Sequence, residues 1–163
     1  MPVPQQIANA AVSFQRNKSV LDKSCKDLTA EEWLKCPSEG SNHLLWIAGH
    51  IVWARSSVLK VLGGPEWSRP WLSLFARGKK RQEATLYPSA EEVMAAFEDL
   101  SGHVTETLEN ASEDTLKSEA PPKSPPGDGT LGGVINFLAF HETYHVGQIA
   151  YLRCWLGHEG PQG

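Results

Sequence analysis

The sequence predicts an all-α protein, a four-helix bundle with long middle connections, on three observations. Four segments repeat apolar residues at helical spacing. No segment alternates apolar and polar residues as a half-buried strand does. The connections between the second and third and the third and fourth helices are long, which permits parallel neighbours in place of a simple up-down-up-down order. Apolar stripes on four helices must be buried against one another, and a bundle does this. The 163 residues suit one domain, 1–163. A chain of this size buries roughly two-thirds of its unfolded surface, so it needs no metal merely to fold.

The first helix is expected from about Gln5 to Cys25, with Ile7, Ala11, Phe14, Leu21 and Cys25 as its stripe and Lys18 interrupting it. In TAEEWLKCP, Thr29 and Glu32 form a capping box and Pro37 ends a short helical turn. The second long helix is expected from Ser41 to Leu62, ended by Gly63-Gly64-Pro65. Between 65 and 88, Trp67, Trp71, Leu72, Leu74 and Phe75 can cover one end of a core. Arg77, Lys79, Lys80 and Arg81 read as a solvated loop, with attraction of an acidic cosubstrate as the other reading. Ser89 and Glu92 act as reciprocal caps for a third helix carried by Val93, Phe97, Leu100, Val104 and Leu108. ENASEDTLKSEAPPKSPPGDG then breaks all periodicity and reads as an exposed connection. The last helix starts near Thr130 or Leu131 and ends near Gly157. Its expected face is Leu131, Val134, Ile135, Leu138, His141, His145, Ile149, Leu152 and Leu156.

Charge and cysteines narrow the functional classes. A net charge of -4 gives no electrostatic reason to expect nucleic acid. The short RGKKR run lacks interleaved aromatics and does not change that. No stretch approaches the ~20 apolar residues of a membrane span, and no signal peptide is visible, so no membrane is expected. The three cysteines are odd in number and form no CxxC pair, which points to a reducing cytoplasm.

HETYH at 141–145 carries the chemistry. Residues four apart on a helix lie on one side with a rise of about 6 Å, so His141 and His145 can aim two imidazoles at one ion. The string matches the HExxH pattern of zinc proteases. One protease variant needs a histidine at position 151, which is Tyr151 here. The other needs a glutamate from a later helix, and only Glu159 follows, beyond Gly157. A better third ligand lies upstream: in WIAGHIVWAR, the neighbours Ile47, Ile51 and Ala54 place His50 on an inward face. From spacing alone, ligation of one metal and a set of satisfied core histidines both stay open.

HLLWIAGHIVWAR followed by HETYHVGQIAYLR resembles the DinB-like superfamily of small helical metalloproteins, over essentially the whole chain. The resemblance implies an up-down-down-up bundle, often a homodimer, with His50, His141 and His145 as ligands of one divalent metal, zinc or nickel. Gly147 and Gln148 match its recurrent pair after the last ligand, and Arg153 sits at its arginine position. Relatives include transferases and isomerases that use low-molecular-weight thiols such as bacillithiol or mycothiol. The expected function is therefore a metal-dependent thiol S-transferase or related enzyme with a thiol cosubstrate and an electrophile. A non-catalytic metal-binding sensor or partner protein and a metal-dependent hydrolase are the alternatives. The candidate catalytic residues are Gln148, which returns to the ligand face, and Glu142, rotated ~100° from it. Glu142 reads as a partner of an imidazole, a general base or a solvated side chain. His43 reads as a rim residue, His103 and His158 as surface. Tyr144 and Arg153 reach a pocket mouth or a dimer surface. Cys154 falls on the far side of its helix, and Cys25 and Cys36 read as ordinary thiols. The tryptophans read as core or dimer packing.

Overall fold

The computed structural model describes residues 3–161; Met1, Pro2, Gln162 and Gly163 of the expected domain lie outside the described residues. Four long helices carry the fold: α1 (Ala8–Cys25), α2 (Leu44–Leu62), α3 (Ala90–Asn110) and α5 (Leu131–Trp155). A short α4 (Glu113–Lys117) precedes α5. Among the described residues there is no sheet, only an isolated antiparallel bridge between Glu119 and Thr130.

Cross-helix contacts fix the directions. Asn136 bonds to Gln6, Asn17 to Thr143 and Arg153 to Ser24, so α1 and α5 rise together. Arg55 meets Ser101 and Gly64 packs on Thr107, so α2 and α3 also run together. Ile47 lies near Gln148 while Ala54 lies near Leu138, so α2 runs against α5. The order is up-down-down-up. The connection between α2 and α3 is long because these helices are parallel and the chain must return along the bundle between them; α3 and α5 run in opposite directions, so the segment that holds α4 joins them at one end of the bundle.

Local chemistry explains the boundaries. Two residues extend the capping box predicted at Thr29 into a real one: Thr29 N donates to Glu32 Oε2 at 2.8 Å and Glu32 N to Thr29 Oγ1 at 3.2 Å. Helix α2 starts three residues later than expected, at Leu44, because Ser38 and Ser41 close a turn and His43 is the cap. The His43 Nδ1 accepts from Trp46 N at 3.0 Å. Gly63, with φ of 67°, ends α2 in the left-handed conformation that costs a glycine little. At the start of α3, Ser89 caps Glu92 N, but the Glu92 carboxylate does not return the bond; it accepts from Trp71 Nε1 at 2.7 Å instead. The connection expected to be irregular holds α4, capped by Ser112, and buries Leu116 completely. Thr130 caps α5 through Gly133 N.

The α3 stripe is buried as predicted: Val93, Phe97, Leu100, Val104 and Leu108. On α1 and just before it, Ile7, Phe14 and Leu21 are buried as expected, Ala10 and Ser24 replace Ala11 and Cys25, and Asn17 joins them. On α5 the centre of the buried face is Ile135, Leu138, Ala139, Glu142, Val146 and Ile149, so His141 and His145 sit at its margin, half-buried. That rotation opens the histidines toward the outside of the bundle.

Candidate metal centre

Helices α2 and α5 cross where His50 faces His141 and His145. The Nε2 atoms of His50 and His141 are 3.4 Å apart, and those of His141 and His145 are 3.2 Å apart. One ligand atom from each of the three residues lies within 4.8 Å of the others. Nitrogens about 2.0–2.1 Å from a tetrahedral metal are separated by roughly 3.3 Å, so the spacing fits one ion. No further His, Cys, Asp or Glu joins the group among the described residues.

The far side of two rings fixes which nitrogen carries the lone pair. His50 Nδ1 is 2.7 Å from the Phe75 carbonyl, which can only accept. His145 Nδ1 is 2.7 Å from Gln148 Oε1, likewise an acceptor. Each Nδ1 therefore holds the proton, a tautomer assigned from its partner, and each Nε2 turns a lone pair inward. Both of these lone pairs face His141 Nε2, and a cation among the three nitrogens would accept them together. His141 Nδ1 and the Trp46 indole N–H are the two buried side-chain polar atoms without a partner among the described residues, and both rings lie against His50.

Local structure holds the rings in place. His50 is sandwiched between Trp46 and Trp53, with ring centroids 5.0 and 5.3 Å away and planes tilted by 11° and 23°. The 3-10 turn Leu72–Phe75 brings the Phe75 carbonyl to His50. Gly49 allows it: a Cβ there would lie 2.4 Å from the Phe75 ring. Desolvation lowers the pKa of His50 and His145, against the opposing pull of Phe75 and Gln148. Desolvation, then the neighbouring charges of His145, His50 and Arg77, lower His141 to about 4. Burial thus favours the neutral form of all three imidazoles, the form that ligates a metal.

Glu142 is elsewhere. It is 2% exposed and forms a two-point ion pair with Arg55: Nη2 to Oε1 at 2.6 Å and Nε to Oε2 at 2.7 Å. Asn17 Nδ2 adds a bond to Oε1 at 3.1 Å. Arg55 also donates to Ser101 Oγ and to the Phe14 carbonyl, and stacks on the Phe97 ring. The solvated reading of Glu142 is thereby corrected, and so is its rotation away from the buried face: a neutralising arginine lets a carboxylate occupy the centre of the helix interface. Both its oxygens are engaged on the core side, which leaves none for an imidazole or for a proton transfer at the cluster. Sequence reading missed Arg55, although a lone arginine inside the apolar run IVWARSSVL is the signal that could have found it.

The remaining candidates are accounted for. Gln148 Oε1 accepts from His145 Nδ1, and its Nε2 lies 3.4 Å from the exposed Tyr144 hydroxyl. His43 is a buried helix cap outside the cluster, its pKa lowered to about 4 by desolvation and then by Arg81. His158 bonds Glu32 and His103 lies near Asp99. Arg153 donates to the Ser24, Lys26 and Glu159 carbonyls and ties the end of α1 to α5. Arg81 is not solvated freely either, since it donates to the Ser41 and Glu39 carbonyls and to Cys36 Sγ. Cys154 is exposed, while Cys25 and Cys36 are partly buried, and all three thiols are free. Burial pushes the Cys25 thiol up to about 12.

Two cavities lie along α2 and α5, and one of them is lined by a histidine of the cluster. One, of about 280 Å³, runs along Trp53, Phe137 and His141. The other, of about 670 Å³, lies beside Ile47, Tyr144 and Gln148. No helix among the described residues is long and apolar enough to cross a membrane.

Fold and cluster together define a class: a helical bundle able to hold one metal on three histidines. A family model described as the DinB superfamily matches residues 13–149, and the chain belongs to that superfamily. No curated protein matches the chain.

Proposed function

We propose that the protein is a metal-dependent thiol S-transferase, with His50, His141 and His145 as ligands of one zinc or nickel ion. The observation that carries the reading is the convergence of three neutral Nε2 atoms with no fourth His, Cys, Asp or Glu beside them among the described residues. Three protein ligands leave a position for a reactant, whereas a purely structural site is closed. A bound divalent metal would lower the pKa of a low-molecular-weight thiol and so supply thiolate at neutral pH. The chain's own work is positional. Phe75 and Gln148 orient two ligands, and Trp46 and Trp53 exclude water from the His50 ring. Gln148 is a positioning residue here. Glu142 acts as a structural anchor and not as a base.

The protein is further proposed to be a homodimer in the cytoplasm. Phe140, Tyr144, Tyr151 and Trp155 are 68, 58, 66 and 43% exposed and follow one outer stripe of α5, with the side-chain-free Gly147 among them. An aromatic stripe of this kind favours a second copy as its cover. The three free thiols fit a reducing compartment.

The test uses protein purified without a histidine tag. Metal analysis should find about one equivalent of zinc or nickel per chain, and His50→Ala, His141→Ala and His145→Ala should each lose it. Protein that retains no metal after supplementation ends the metal reading. Metal-loaded protein is then incubated with thiols and electrophiles, and a thioether adduct above background is expected. Metal without any adduct would favour a non-catalytic binding protein.

A further inference from the structure

The cavity beside His141 differs from the others in what surrounds it. Its walls are largely apolar: Trp53, Phe137 and Leu138, with Pro125 and Pro126 from the loop before α5. Besides His141, two polar groups interrupt them. The Ser57 hydroxyl and the Arg77 guanidinium form no hydrogen bond or ion pair with any other described residue. The other arginine of the same basic run, Arg81, has three acceptors on the chain. Arg77 follows the 3-10 turn Leu72–Phe75, whose last carbonyl holds His50. One short segment thus serves the cluster with a backbone acceptor and the cavity with a cation.

We infer that this cavity binds a small monocarboxylate with an aromatic or branched apolar body, its carboxylate on Arg77 and its apolar part between Trp53 and Phe137. Size sets the body. A cavity of about 150 Å³ accommodates benzene, so 280 Å³ holds one ring with a short side chain. Charge sets the head group. A guanidinium matches a carboxylate with two parallel bonds, and the Ser57 hydroxyl can add a third. A dianion would carry a second charge into apolar walls, since Arg77 is the only cationic side chain lining the cavity. The His141 wall places the bound molecule next to the histidine cluster. Its role as the electrophilic acceptor rests on the transferase reading; its binding does not.

Isothermal titration of the full chain with 3-phenylpropionate and with its neutral analogue 3-phenylpropionamide tests this. The acid should bind about tenfold more tightly than the amide, the gain expected from a charge-assisted two-point contact. Arg77→Gln should remove that difference and leave amide binding unchanged. Phe137→Ala should weaken both probes. Arg77 is exposed, so its variant is expected to keep the wild-type melting temperature, which circular dichroism verifies. Equal binding of acid and amide, no binding of either, or an Arg77→Gln variant that still prefers the acid overturns the assignment. The titration is repeated after chelation. Acid binding that persists in protein that fails to retain metal even after supplementation keeps this site while the metal reading falls; metal retention with no acid binding does the reverse.

Discussion

Arg55 and Glu142 are joined by two charge-assisted hydrogen bonds of 2.6 and 2.7 Å while each is only 2% exposed. Arg55 lies five residues after His50, and Glu142 immediately follows His141. The pair therefore locks the register of α2 against α5 at the level of the cluster. Asn17 on α1 and Ser101 on α3 bring the other two long helices to the same node.

Breaking this pair from one side strands a buried charge. Arg55→Met or Glu142→Leu alone should cost about 3–5 kcal/mol, whereas the double variant should recover most of that loss. Urea denaturation measures it. If the double variant is as unstable as the sum of the singles, the two residues do not act as a pair.

Gly49→Ala places a methyl group where the fully buried Phe75 ring lies 2.4 Å away. Overpacking of this kind costs about 1–3 kcal/mol. Because Phe75 also holds His50 through its carbonyl, metal affinity should fall together with the melting temperature. An unchanged metal affinity in the folded variant would separate the turn from the cluster.

Gln148→Leu removes the acceptor that sets the His145 tautomer. Metal affinity should drop about 10- to 100-fold, as it does when other outer partners of ligating histidines are lost. The melting temperature of metal-free protein should change little, since Gln148 is only half-buried on the margin of α5. Competition with a chromophoric chelator reads the affinity. Equal affinities would assign Gln148 to the surface.

Acid should destabilise the metal-free protein early. His43, His50, His141 and His145 all have folded pKa values below the ordinary 6.5, with His43 and His141 near 4. Below pH 6.5 the unfolded chain takes up protons that the folded chain refuses. Stability is thus full above 6.5 and is lost as pH falls toward 4, with a slope of up to about 1.4 kcal/mol per pH unit for each group. His43→Asn keeps an acceptor for Trp46 N and should flatten that acid limb. A stability profile level between pH 7 and 4.5 would contradict the burial of these rings.

Much of this was legible before any coordinates. The periods of α3 and α5, the Thr29–Glu32 box and the cap at Ser89 are local matters, decided by side chains three or four residues apart. The ligand spacing of His141 and His145 is equally local. The late start of α2 was hidden because histidine is not among the usual caps. Helix α4 was hidden by its shortness and by the prolines after it.

By itself the sequence determined four amphipathic helices and two histidines one turn apart, because helical periodicity converts residue spacing directly into a shared face. Only the tertiary structure decided how close His50 comes to them, that Glu142 belongs to Arg55, and that Arg77 lines the cavity beside His141 while Arg81 is tied to backbone carbonyls. Those partners are 87 or more residues apart in the first two cases, and nothing local couples residues at that separation. Packing of α2 against α5 brings them together, and burial then decides which charges must be paired.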